Sequence, residues 1–211
     1  MGLDIYGHLH PKTRERKADE SLNEYYNAIS DADDEKTKQV AQKEIADGIA
    51  HIKTVEETGK VYPYIYEQFA KDMEKYFPYD HQRKELKDAK TSADIEAWAE
   101  KINWDQFYKP CDFYFRKVNC IYAYFADRLE DEIAEVTKDD VTDIISRATK
   151  VLAERDEETS MSTLPTQGGF FFGSTDYDEW YYQDMVDIIK QFSELLLKWK
   201  YGESCYILMS W

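Results

Sequence analysis

The chain has 211 residues, of which 43% are hydrophobic and 15% are aromatic, so its composition predicts a folded protein rather than a disordered one. Its formal net charge of −16 argues against direct nucleic-acid binding, because a phosphate backbone would be repelled. No apolar run approaches the roughly 20 residues needed to span a bilayer, which argues against a membrane protein.

The cysteines and the N-terminus are typical of a cytoplasmic protein. Cys111, Cys120 and Cys205 are odd in number and form no CxxC pair. The start MGLDIYGHLHPK lacks the basic leader and apolar core of a signal peptide. We therefore expect reduced thiols and a cytoplasmic location.

The first ten residues alternate between apolar and polar side chains. Leu3, Ile5 and Leu9 fall on one face and polar residues on the other, which is the period of a half-buried strand. A proline at position 11 ends the run.

Residues 12–107 are charged and thinly apolar, and they predict a helical accessory lobe within a single domain of residues 1–211. Residues 1–11 and 108–211 form the predicted core scaffold. Inside the lobe, one helix is predicted from Asp33 or Asp34 to about Thr58. Another begins at Thr91, where Asp94 completes a capping box.

The scaffold then continues with helices. Apolar spacing predicts a helix that starts near Asp112 and extends to Ile133, and Thr137 or Asp139 caps the next one. Residues 204–211, SCYILMSW, predict a terminal strand that pairs with the first one.

The stretch LPTQGGFFFGSTDYDEW, residues 164–180, joins three predicted features. Two adjacent glycines predict a turn, and Phe170–Phe172 predict a short, extended and buried run. Thr175 and Asp178 predict a capping box for the long amphipathic helix that follows. The whole pattern predicts a predominantly α-helical α+β fold, with helices packed on a small antiparallel sheet formed by the N- and C-terminal strands.

Four polar residues near the TQGG turn are candidates for a ligand site: Asp4, Arg116, Asn119 and Asp178. Arg116 and Asn119 lie three residues apart and would share a helix face. The alternative is that these side chains satisfy backbone groups or pair with one another in a polar seam.

The metal, cofactor and catalytic motifs considered do not fit well. His8 and His10 would share a strand face with Asp4, but a strand spreads these residues too far apart for one ion. The glycine turn lacks the spacing of a phosphate-binding loop, and acidic residues follow it. No GxSxG is present. We therefore expect no metal, no cofactor and no catalytic residue.

Acidic residues are concentrated in short runs, which would be either solvated surfaces or contacts for a basic partner. The runs with candidate partner-binding residues are Asp31, Asp33, Asp34 and Glu35; Glu130, Asp131 and Glu132; and Asp156, Glu157 and Glu158.

Three segments, MGLDIY, FYFRKVNCIYAYF and LPTQGGFFFGSTDYDEWYYQD, resemble a family of mostly uncharacterised proteins of bacteriophages, prophages and bacterial genomes. The resemblance covers the first strand and roughly residues 110–211, and residues 12–107 look longer than is usual for such proteins. It implies a mobile-element context and a bacterial cytoplasm, but no catalytic set that could be transferred to this chain.

Charge and resemblance together predict a non-enzymatic, protein-binding protein of phage or mobile-element origin. Its partner would be a basic nucleic-acid-binding protein of a host defence system, inhibited in an anti-CRISPR-like manner. The alternative is a small-ligand-binding protein or an enzyme with a polar site near the TQGG turn.

Overall fold

The computed structural model describes residues 2–211 and confirms a predominantly helical α+β fold with a small antiparallel sheet. The strands are β1 (Asp4–Pro11), β2 (Phe113–Arg116), β3 (Ile133–Val136) and β4 (Glu203–Ser210). The helices are α1 (Leu22–Glu57), α2 (Tyr64–Asp72), α3 (Lys84–Lys87), α4 (Ser92–Ala99), α5 (Asn119–Phe125), α6 (Lys138–Glu154), α7 (Glu157–Thr163) and α8 (Glu179–Lys198).

The sheet has the order β2-β1-β4-β3, with every neighbouring pair antiparallel. The two terminal strands pair along their whole length, from Asp4 opposite Ser210 to Pro11 opposite Glu203. This pairing confirms the predicted sheet of terminal strands. The strands that flank them are β2 and β3.

The helix predicted from Asp112 to Ile133 is wrong, because β2, α5 and β3 occupy this stretch. Phe113 and Phe115 are buried while the residues after each of them are exposed, so the first four residues follow the period of a strand. Lys117 then adopts a left-handed backbone angle, φ 61°, which separates β2 from α5.

One face of the sheet is covered by α5, α6 and α8, which together bury the main core. The sheet contributes residues such as Ile5 and Ile207, and Leu3 just before β1 joins them; all three are fully buried. In the core, the Phe192 ring of α8 lies edge-on to the Phe113 ring, with centroids 5.0 Å apart. The predicted Thr137 cap of α6 is confirmed, since its side chain accepts the backbone N–H of Asp140.

The opposite face is covered by the first turns of α1. Leu22, Tyr25 and Ile29 pack against Tyr206 there, and His10 is buried with its ring edge-on to a tyrosine of α1. The prediction that this helix begins at Asp33 or Asp34 is therefore wrong. Its early turns carry apolar side chains that the sheet buries, although the sequence between them is polar.

Contacts divide the chain into two compact units, which are residues up to Ser30 with Cys111–Trp211, and Asp31–Pro110. The second unit has its own core, in which Phe77 meets the Trp98 ring edge-on at 5.3 Å. The predicted capping box of Thr91 and Asp94 is confirmed there. Across residues 2–211, none of the helices combines the length and apolar character needed to cross a membrane.

Candidate functional site

The structure brings Asp4 and Arg116 together at the edge of the sheet. They are register partners on β1 and β2, with 4.0 Å between Arg116 Nε and Asp4 Oδ1. The Tyr114 hydroxyl donates a hydrogen bond to the same carboxylate. Burial, and then this hydrogen bond, raise the pKa of Tyr114 to about 12. Arg116 remains largely exposed, so solvent weakens the ion pair.

The Gln191 side chain of α8 closes the free edge of β2. Its oxygen accepts the backbone N–H of Tyr114 and its amide donates to the Tyr114 carbonyl, both at 3.0 Å. An edge strand exposes such groups for pairing with another chain, and a side chain that satisfies both removes that opportunity at this position.

Asn119 anchors the glycine-rich loop, which contains Gly168, Gly169 and Gly173. Its buried side-chain amide donates to the carbonyls of Phe172, at 3.3 Å, and Ser174, at 2.8 Å. The backbone N–H of Leu3 donates to the Phe171 carbonyl at 3.0 Å, which ties the same loop to the start of β1. These contacts give Asn119 a structural role in holding the loop.

The prediction that Phe170–Phe172 is an extended, buried run is wrong. A hydrogen bond of 3.2 Å from the Phe172 N–H to the Gly169 carbonyl closes a turn, and Phe170 at its tip is 94% exposed. Only Phe172 is buried, with its ring 4.5 Å from that of Tyr122. The left-handed angle of Gly173, φ 93°, then redirects the chain.

Asp178 is the N-cap of α8, and its carboxylate accepts the backbone N–H groups of Trp180 and Tyr181. The predicted capping box with Thr175 is wrong, because α8 begins at Glu179 and Asp178, not Thr175, is its N-cap. Of the four candidate ligand residues, the described contacts therefore join Asp4 with Arg116, while Asn119 holds a loop and Asp178 starts a helix.

Asp184, in the second turn of α8, is a carboxyl group that the sequence did not single out. Burial, followed by the negative charges of Asp187 and Asp178, raises the pKa of Asp184 to about 7. The thiol of Cys120 is fully buried, and burial raises its pKa as well. This thiol stays protonated at neutral pH and is poorly suited to act as a nucleophile.

A pocket of about 390 Å³ lies beside the start of the TQGG stretch. Its lining comes from α5 and the turn after it, from α6, and from the segment that follows α7: Cys120, Ala123, Tyr124, Arg128, Asp140, Arg147, Leu164 and Pro165. None of the four candidate ligand residues is among them. Sequence reasoning missed this pocket, although Tyr124 and Arg128 have the (i, i+4) spacing that places side chains on one helix face.

The acidic runs share one arrangement: some carboxylates are held by internal contacts and their neighbours are exposed. Glu130 accepts the N–H of Leu22 at 2.5 Å and pairs with Arg16. Asp156 caps α7 by accepting the N–H of Thr159 at 2.8 Å. Lys109 donates from its ammonium to Asp33 and from its backbone N–H to Asp34, both at 2.8 Å. The exposed members are Asp31, Glu35, Asp131, Glu132, Asp156, Glu157 and Glu158.

Among residues 2–211, no group of three or more His, Cys, Asp or Glu side chains is placed to hold a metal ion. Comparison with protein-family models, with curated proteins and with solved structures gave no match.

Proposed function

We propose that the protein is a non-enzymatic, protein-binding protein of phage or mobile-element origin that inhibits a host nucleic-acid-binding defence system, in an anti-CRISPR-like manner. The observation that supports it most is the arrangement of the acidic runs. In each run an anchored carboxylate fixes the backbone beside carboxylates that face solvent.

The turn between Glu130 and Ile133 holds two exposed carboxylates on an ordered backbone. Glu130 and Ile133 exchange two backbone hydrogen bonds, of 2.8 and 3.1 Å, around Asp131 and Glu132. Both central residues have left-handed backbone angles, φ 50° and 69°, which non-glycine residues rarely adopt. Two charged residues therefore occupy positions where glycine or asparagine would be more stable, as expected if their charges contribute to partner binding.

A fixed pair of carboxylates suits a partner that recognises phosphates. Because the backbone is already ordered, less conformational entropy is lost on binding. The net charge of −16 would also accelerate encounter with a basic groove, and salt would reduce this effect. The partner we propose is a basic protein whose groove otherwise holds nucleic acid.

Affinity capture from bacterial lysate tests the proposal when two baits are compared. E157Q/E158Q removes two exposed charges beside the Asp156 cap, and D127N/E194Q removes two charges at exposed positions outside the runs. We expect mass spectrometry to identify a basic nucleic-acid-binding protein that the wild type and the control retain and E157Q/E158Q loses. Equal retention by all three baits, or a partner without nucleic-acid-binding activity, would contradict the proposal.

A further inference from the structure

The pocket beside Tyr124 is notable for its charge, because it places two arginines together in a strongly acidic chain. The guanidinium carbons of Arg128 and Arg147 each lie 5.5 Å from the centroid of the Tyr124 ring. Such distances are typical of cation–π contacts, which orient the guanidinium planes against the ring. The pocket therefore has two cations beside the Tyr124 ring, and the guanidinium carbon of Arg128 also lies 4.7 Å from the centroid of Phe125.

Tyr124 itself is held in place by α6. Its hydroxyl donates to Asp143 Oδ2 at 2.9 Å. Burial, followed by this hydrogen bond, raises the pKa of Tyr124 to about 12, so the hydroxyl stays protonated near neutral pH. The ring is thus a fixed and neutral wall of the pocket.

Asp140 and Asp143 accept hydrogen bonds from only some of the N–H groups of Arg128 and Arg147. Asp140 accepts the N–H and the hydroxyl of Thr137, at 2.8 and 2.7 Å, as part of the α6 cap, and it accepts Arg128 through Nη1 at 3.0 Å. Arg147 donates from Nε to Asp143 at 2.7 Å and from Nη1 to the Thr163 carbonyl at 3.1 Å. The Nη2 group of each arginine makes no hydrogen bond within the described chain.

The rest of the lining is mostly apolar, with Ala123, Leu164 and Pro165 beside the Tyr124 ring. A volume of about 390 Å³ falls at the small end of ligand sites, which usually measure roughly 300–1,000 Å³. A ligand that fits would combine an oxyanion for the guanidinium donors with a flat apolar body.

We propose that this pocket binds a small aryl oxyanion, meaning an aromatic ring that carries a phosphate or a carboxylate. The oxyanion accepts hydrogen bonds from Arg128 and Arg147, and the ring packs against Tyr124 and Leu164. This inference goes beyond the protein-binding proposal and does not depend on it, because the acidic runs contribute no residue to the pocket.

The test is a titration of the full chain, followed by NMR chemical shifts, at an ionic strength that screens the overall negative charge. Phenyl phosphate and benzoate are the probes, with inorganic phosphate and benzyl alcohol as references. We expect saturable shifts at Ala123, Tyr124 and Leu164 with both aryl anions, and weaker ones with either reference. The tighter of the two aryl anions identifies the phosphate or the carboxylate as the preferred group.

Matched variants make the test specific. R147Q should weaken binding about tenfold, the usual cost of removing a charged hydrogen bond. R155Q is the control, because Arg155 also pairs with a carboxylate, Glu179, and lies 5.0 Å from a tyrosine centroid, but outside the pocket. Ala123→Leu should fill the pocket and abolish binding without removing a charge.

Three results would overturn the proposal. They are the absence of saturable shifts with either aryl anion at millimolar concentration, equal binding of inorganic phosphate and phenyl phosphate, and equal weakening by R147Q and R155Q. If R147Q does not fold, Ala123→Leu decides the outcome, since unchanged binding in that variant would place the ligand elsewhere.

Discussion

Replacing Asp184 by Asn should stabilise the protein above neutral pH and leave its stability almost unchanged in acid. The pKa of Asp184 rises from 3.8 to about 7 in the folded protein, chiefly because the carboxyl group is partly buried on α8. Between these two values the folded state keeps a proton that the unfolded state releases. The stability contributed by Asp184 is therefore complete below about pH 4 and is lost as the pH rises towards 7.

The size of the effect follows from the shift. About three pKa units at about 1.4 kcal/mol each give an upper limit of about 4 kcal/mol. Asp184 keeps partial contact with solvent, which screens the charge, so we expect D184N to gain about 1–2 kcal/mol at pH 8.

Urea denaturation of the wild type and D184N across pH 4–8 measures this difference, with D127N as the control for an exposed carboxylate. The difference between the wild type and D184N should grow steadily from about pH 4 to pH 7 and then level off. A difference that does not change with pH, or a less stable D184N at pH 8, would refute the assignment of a destabilising ionised carboxylate.

Three further substitutions test other parts of the structure by the same denaturation assay. Glu132→Gly should raise the free energy of unfolding by about 1 kcal/mol, because glycine accepts the left-handed backbone angle of this turn. A lower free energy of unfolding would contradict the idea that Glu132 is strained. Asn119→Ala should lower the free energy of unfolding by about 2 kcal/mol and speed proteolysis of the glycine-rich loop, because two backbone carbonyls lose their hydrogen-bond donor. Unchanged proteolysis would contradict the role of Asn119 in holding this loop. Gly7→Ala should lower the free energy of unfolding by about 3 kcal/mol, because the added Cβ would lie 1.9 Å from the Phe113 ring. Gly168→Ala is the control and should be nearly neutral. Equal effects of the two substitutions would contradict the close packing of Gly7 against Phe113.

The terminal strands could be predicted from the sequence because the first alternates between apolar and polar residues and the last is a short apolar run. Leu3, Ile5 and Leu9 are buried on one face as their spacing requires. The caps at Thr91 and Thr137 were equally predictable, since a capping box depends on residues only three positions apart.

The predictions that were wrong concern segments whose local structure depends on tertiary contacts. Phe113–Arg116 is too short to show whether its apolar residues follow a strand or a helix, and pairing with β1 settles it. Phe170–Phe172 looks buried by composition, yet a turn leaves the first ring outside. The pocket was missed for a related reason: Arg128 and Arg147 lie on different elements, and only packing brings both to the Tyr124 ring.

The central claim is that exposed carboxylates beside anchored ones form the contact with a basic partner. The most direct measurement is the salt dependence of affinity for the captured partner, compared between the wild type, E157Q/E158Q, D131N/E132Q and the control D127N/E194Q. We predict that the affinity falls steeply with salt for the wild type and the control, and that both run variants bind more weakly with shallower slopes. Equal affinities and equal slopes for all four proteins would contradict the claim.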